Sequence, residues 1–250
     1  MTKSIITDAF DRMPEDASET EWRELFILVE SIAINGNFEA QSEAQITMAI
    51  LYENGMGVLK DIEKAIDWYT KAAQLGLVEA QYLLGELYDN YCYINENYIQ
   101  KATKWTEKAA KKGHVQAQYK LSYIYTYGHG VHKDAKQAIK WCRKAAEQDY
   151  VPAQLELGHQ YSYGVSLSKD LLKAAEWYTK AAKQGSTEAQ CSLGEFYEGG
   201  WGVNQNYPLA YSLFNAVAIK GCDEGVRLRD KLEEKMSDDQ ITEAKVLEPI

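Results

Sequence analysis

Few residues in this chain have the type and spacing that chemistry needs. Ser166-Leu-Ser-Lys169 has the Ser-x-x-Lys spacing in which a lysine amine can take a proton from a serine hydroxyl and prime it for acyl transfer. No Lys-Thr-Gly follows, and the tetrapeptide falls where an inter-helix loop is expected. His129-Gly-Val-His132 offers two imidazoles without a third ligand, so no zinc site is expected. His114 and His159 are singletons. The Gly-x-Gly pairs precede no Gly-Lys-Ser/Thr, so no phosphate-cradling loop is expected either. Cys92, Cys142, Cys191 and Cys222 form no C-x-x-C pair and read as reduced thiols. Cys191 and Cys222 are the one pair that could approach each other. The expectation is a chain without catalytic residues, metal or cofactor.

The elements that must position these residues repeat. An Ala-Gln pair returns at Ala44-Gln45, Ala80-Gln81, Ala117-Gln118, Ala153-Gln154 and Ala189-Gln190, spaced by 36 residues with a single 37. In the unit opening at Ala153, small and apolar residues at Ala153, Leu157, Gly158 and Tyr161 mark one face of a helix. Gly164 interrupts, Asp170 offers a cap, and a second helix runs through Ala174, Trp177, Tyr178, Ala181 and Ala182 to Gly185. Each unit therefore reads as helix, short loop, helix. Leu84, Leu121, Leu157 and Leu193 give the first helices a buried stripe. Trp68, Trp105, Trp141 and Trp177 are expected to put one large ring from each second helix into the core, each costing about 3–5 kcal/mol on truncation to alanine.

This pattern, with Leu84-Gly85, Gly128-His-Gly130-Val131 and Trp68-Tyr69-Thr-Lys-Ala-Ala73 as its clearest instances, resembles the Sel-one-like repeat, a relative of the tetratricopeptide repeat. The resemblance covers about residues 44–224. It implies an all-α, right-handed superhelix (an α-solenoid) of about five helix-turn-helix units, and an adaptor that binds other proteins. The units fall at 44–79, 80–116, 117–152, 153–188 and 189–224. A weakly patterned segment 1–17 and a leading partial repeat 18–43 precede them, and capping helices follow over 225–250. Cysteine-rich relatives linked to penicillin binding make a β-lactam or amide hydrolase using Ser166 and Lys169 an alternative. Their regularly spaced cysteines are missing here.

The ends carry their own signals. Ser18-Glu-Thr-Glu21 forms a capping box opening a helix with Trp22, Leu25, Phe26, Val29 and Ile32 on one face. Ser237-Asp-Asp-Gln240 opens a last helix carrying Ile241, Ala244, Val246 and Leu247. The second unit departs most: Asp89-Asn-Tyr-Cys-Tyr-Ile-Asn-Glu-Asn-Tyr98 puts tyrosines in place of both loop glycines and adds a residue, so this loop must take another path.

By the tetratricopeptide geometry, first-helix side chains off the buried stripe face a concave groove. The expected partner-binding residues are Tyr82, Glu86 and Asp89 in the second unit and Tyr119, Tyr123 and Tyr127 in the third. His159 and Tyr163 come from the fourth and Glu195 and Glu198 from the fifth. Tyrosine supplies contact area at low entropic cost. With 37 acidic against 27 basic residues the net charge is −10, which disfavours nucleic acid or an anionic membrane as partner and favours a basic protein or peptide. No stretch of about 18 apolar residues exists to span a bilayer, and the first residues lack a signal-peptide core, so a cytoplasmic location is expected. Two roles fit: a scaffold, or an immunity-type protein that neutralises a cognate toxin.

Overall fold

The computed structural model describes residues 13–14 and 17–247, so the expectation for segment 1–17 lies almost entirely outside the described residues. Among these there are thirteen helices and no strand: α1 Glu19–Asn35, α2 Phe38–Asn54, α3 Ile62–Gln74, α4 Val78–Asn90, α5 Asn97–Lys111, α6 Val115–Tyr127, α7 Ala135–Ala146, α8 Val151–Tyr163, α9 Leu171–Lys183, α10 Thr187–Gly199, α11 Tyr207–Ile219, α12 Asp223–Glu233 and α13 Asp238–Val246. The even-numbered helices α2 to α10 open the repeats and the odd-numbered α3 to α11 close them. The architecture is that of an α-solenoid, all-helical and built of tandem hairpins.

The helices gather into two compact units. One holds the described residues up to Lys120 with Gly128–His132, and the other holds Leu121–Tyr127 and Lys133 onward. In the first, α1 packs on α2, and each helix from α2 to α4 packs on the next. In the second, α7 to α11 pack in the same consecutive way, and α12 and α13 close over α11.

Local chemistry sets where each helix begins. Asp61, Asp134 and Asp170 each accept the backbone N–H three residues on, as does Asn206 ahead of α11. The expected boxes form at both ends, Ser18 with Glu21 and Ser237 with Gln240. Left-handed residues follow the second helices at Gly76, Gly113, Gly185 and Gly221, while Asp149 takes that conformation in the third repeat with φ of 61°.

The Ala-Gln signature has a physical reason. The alanine, fully buried, lets helices approach, and the glutamine amide donates to a carbonyl at the end of the preceding second helix. Gln81 bonds Ala73, Gln118 bonds Ala110, Gln154 bonds Ala146 and Gln190 bonds Ala182. Those carbonyls are among the last of their helices, where each accepts the backbone N–H three residues on and has a lone pair left for the glutamine. Gln41 plays this part ahead of the first repeat, reaching Ala33, which is why α2 runs a turn longer than the other first helices.

The leucine stripe lies where expected, Leu84, Leu121, Leu157 and Leu193 being wholly inaccessible. Of the tryptophans, Trp141 and Trp177 are buried as expected, at 6 % and 8 % exposed. Trp68 and Trp105 are only half-buried, and the next residue in each second helix goes deepest: Tyr69, Thr106, Cys142, Tyr178 and Phe214. A lysine three residues after each tryptophan covers its outer face. Lys71, Lys108, Lys144 and Lys180 lie 3.7, 3.7, 4.5 and 4.0 Å from the ring centroids. At Trp68 and Trp105 the ring forms the rim of the core rather than its centre. In the last helix Ala244 is buried and Val246 is exposed, and Leu247, expected within it, is its C-cap.

In the atypical second repeat α4 reaches Asn90 and a series of turns replaces the glycine loop. Tyr98 swings inward to anchor the next helix. It donates to Glu63 at 2.7 Å and packs edge-on against Tyr88. Tyr93 and Ile94 at the loop tip face solvent.

Candidate functional site

In the first unit, α4 presents Tyr82, Glu86 and Asp89 as half-buried side chains. Tyr82 stacks on His114, the residue just before α6, with centroids 4.4 Å apart, and His114 Nε2 lies 3.0 Å from Glu79. Lys120 on α6 bridges the two acids, contacting Glu86 and lying 2.9 Å from Asp89. Tyr119, next to Lys120, is half-buried. Lys120 was absent from the sequence-based set, although its place on the exposed side of α6 could have revealed it. It neutralises two of the four acids in that set.

In the second unit, Tyr123 and Tyr127 are one helical turn apart on α6, with rings 4.2 Å apart and about half their surface exposed, at 52 % and 54 %. On α8, Tyr163 is 73 % exposed. His159 lies 6.2 Å from the Tyr163 ring, edge-on to the buried Tyr178, and 3.7 Å from Glu188 on α10. Glu198 is held by Lys235 at 2.6 Å. Glu195 is open at the surface, and desolvation of its inner side, followed by the charges of Glu198 and Glu224, raises its pKa. An acid destabilised by other acids marks residual negative potential, which a basic group would relieve.

The second loop glycine fixes how consecutive repeats meet. A Cβ on Gly202 (φ of 67°) would sit 2.3 Å from the Leu171 carbonyl, at the first turn of α9. Ser166 occupies this place in the fourth repeat. It is exposed, as is Lys169, and its N–H donates to Gln160 at 3.1 Å. Among the described residues no hydrogen bond joins Ser166 to Lys169.

A family model described as the Sel1 repeat matches five times in succession, at residues 42–77, 78–114, 115–150, 151–186 and 187–221. The chain belongs to the Sel1 repeat family. Its fold is similar to the crystal structure of a Sel1 repeat protein from Oxalobacter formigenes, at 32 % identity and a TM-score of 0.68 over 80 % of this chain and 83 % of that one. It is also similar to c5321, a protective antigen present in uropathogenic Escherichia coli strains and displaying an SLR fold. There the identity is 27 % and the TM-score 0.51, over 90 % of this chain but 55 % of that one. An immunity protein from Pseudomonas aeruginosa, Pa5087, matches at 21 % identity and a TM-score of 0.48 over 91 % of this chain and 80 % of that one. No curated protein matches the chain.

Sel1 repeat proteins are generally protein-interaction scaffolds rather than enzymes, which agrees with the side chains the first helices carry. Among the described residues no helix is long and apolar enough to cross a membrane.

Proposed function

We propose that this Sel1 repeat protein is a non-catalytic scaffold that holds a protein or peptide against the exposed faces of its first helices. The observation that carries the reading is the set of Tyr123, Tyr127 and Tyr163 in the second unit. Three large rings stay open to water on rigid helices whose opposite sides are fully committed to the core. Their backbone is already ordered, so docking on them costs little conformational entropy, and each can bury an apolar face while its hydroxyl remains bonded. Glu188 and Glu195, with the chain's net charge of −10, favour a partner carrying lysine or arginine. In the first unit the corresponding surface is Tyr82, Tyr119, Glu86 and Asp89, its acids already engaged by Lys120.

The test compares partner capture by the native chain with capture by a Tyr123→Ala/Tyr127→Ala/Tyr163→Ala variant and by a second-helix control, Lys144→Ala/Lys180→Ala. Loss of at least about tenfold in affinity is expected for the tyrosine variant alone, since a hot-spot ring contributes about 2 kcal/mol. Loss confined to the lysine variant would place the surface on the opposite helices.

A further inference from the structure

The repeat register places two thiols where an aromatic contact stands earlier in the chain. Tyr82 is the first residue after an Ala-Gln pair, and His114 is the residue just before the next first helix; their rings stack. Cys191 holds the position of Tyr82 after Ala189-Gln190, and Cys222 holds that of His114, as the residue preceding α12. The packing that brings a tyrosine onto a histidine thus turns Cys191 toward Cys222. The side chains agree: both cysteines line one cavity of about 300 Å³, along with Ser192, Glu195, Glu224 and Leu228. Both are free and half-buried, and α10 and α12 touch. The Cys191 thiol is pushed up to about 11, first by burial and next by the nearness of Cys222. Cys142, by contrast, is enclosed and donates to the Ala153 carbonyl, and Cys92 lies in the atypical loop of the other unit.

We propose that Cys191 and Cys222 form a dithiol site that closes to an intramolecular disulfide by exchange with a small-molecule disulfide of the glutathione class. One cysteine, as thiolate, attacks a sulfur of oxidised glutathione; a mixed disulfide forms and one glutathione thiolate leaves. The second cysteine, as thiolate, attacks the protein sulfur of that mixed disulfide, forming the Cys191–Cys222 bond and expelling the second glutathione. Two electrons pass to the glutathione disulfide, and the two thiol protons end on the two released glutathiones. The bond fastens the first helix of the fifth repeat to the capping helix α12, beside Glu195. It does not depend on the partner reading.

The experiment treats the native full chain with oxidised glutathione, unfolds it in denaturant while blocking remaining thiols with N-ethylmaleimide, and maps peptides without reduction. The expected result is peptides 184–220 and 221–227 joined, a protein mass lower by about 2 Da before blocking, and maleimide on Cys92 and Cys142. A Cys222→Ser variant is expected to keep one glutathione on Cys191, because the mixed disulfide cannot be resolved. Separate glutathionylation of both cysteines in the native chain, maleimide on both after full oxidation, or a bond involving Cys92 or Cys142 would each overturn the proposal.

Discussion

At the scale of single residues, the second helices divide labour between neighbours. Trp68 lies at the rim beneath Lys71, while Phe214, one place further along the repeat, is wholly enclosed. Trp68→Ala is accordingly expected to cost about 1–2 kcal/mol, the value of partial apolar burial, whereas Phe214→Ala should cost about 3–5 kcal/mol. Urea unfolding of the two variants gives the comparison. Gly158 shows a second residue-scale constraint. A Cβ there would lie 2.4 Å from Cε1 of the buried Tyr178 ring, which has no room to move aside. Alanine's better helix propensity is worth about 1 kcal/mol, less than the overpacking cost of about 1–3 kcal/mol. Gly158→Ala should therefore lower the urea midpoint. Glu195 adds a pH signature. Its folded pKa is raised, so its stabilising effect is full below the ordinary carboxylate pKa and is lost as pH rises through the folded value. Glu195→Gln should raise the unfolding temperature at neutral pH and leave it unchanged in acid. An equal shift at both pH values would contradict that.

At the scale of elements, the glutamine ties hold each helix end to the next repeat. Gln154 is wholly buried and donates to Ala146 while accepting from Gln184 at 2.9 Å. Replacing it with leucine keeps the volume but removes its donation to the Ala146 carbonyl, which keeps only the Asp149 N–H, and takes away the acceptor of Gln184, an expected loss of about 1–3 kcal/mol. Hydrogen exchange should localise that loss to α7 and α8. Much of this level was legible in the sequence, because caps, leucines and Ala-Gln pairs act within one repeat or between adjacent chain segments. Asp61, Asp134 and Asp170 cap their helices, as their positions implied. What escaped depends on side chains some 35 residues apart. Lys120 reaching Glu86, Tyr82 meeting His114 and Tyr98 bonding Glu63 become visible only once successive helices are laid together. Trp141 and Trp177 are buried as their type implied, but Trp68 and Trp105 misled: residue type signals a core, while a single helical step decides whether a ring faces its centre or its rim.

At the scale of the whole molecule, a repeat chain needs no enclosed cavity to work, since stacked helices themselves offer an extended binding surface. The first helices spend alanine, leucine and glycine on packing and leave tyrosine and acid outward. With a net charge of −10, association with a basic partner should be steered by charge and slow as salt is added. The most direct measurement is site-specific photo-crosslinking. A photoreactive residue placed at Tyr127 or Tyr163, on the first helices of the second unit, is compared with one at Lys144 or Lys180, on its second helices. The account expects one partner band from Tyr127 and Tyr163 and none from Lys144 or Lys180. The reverse pattern would contradict it.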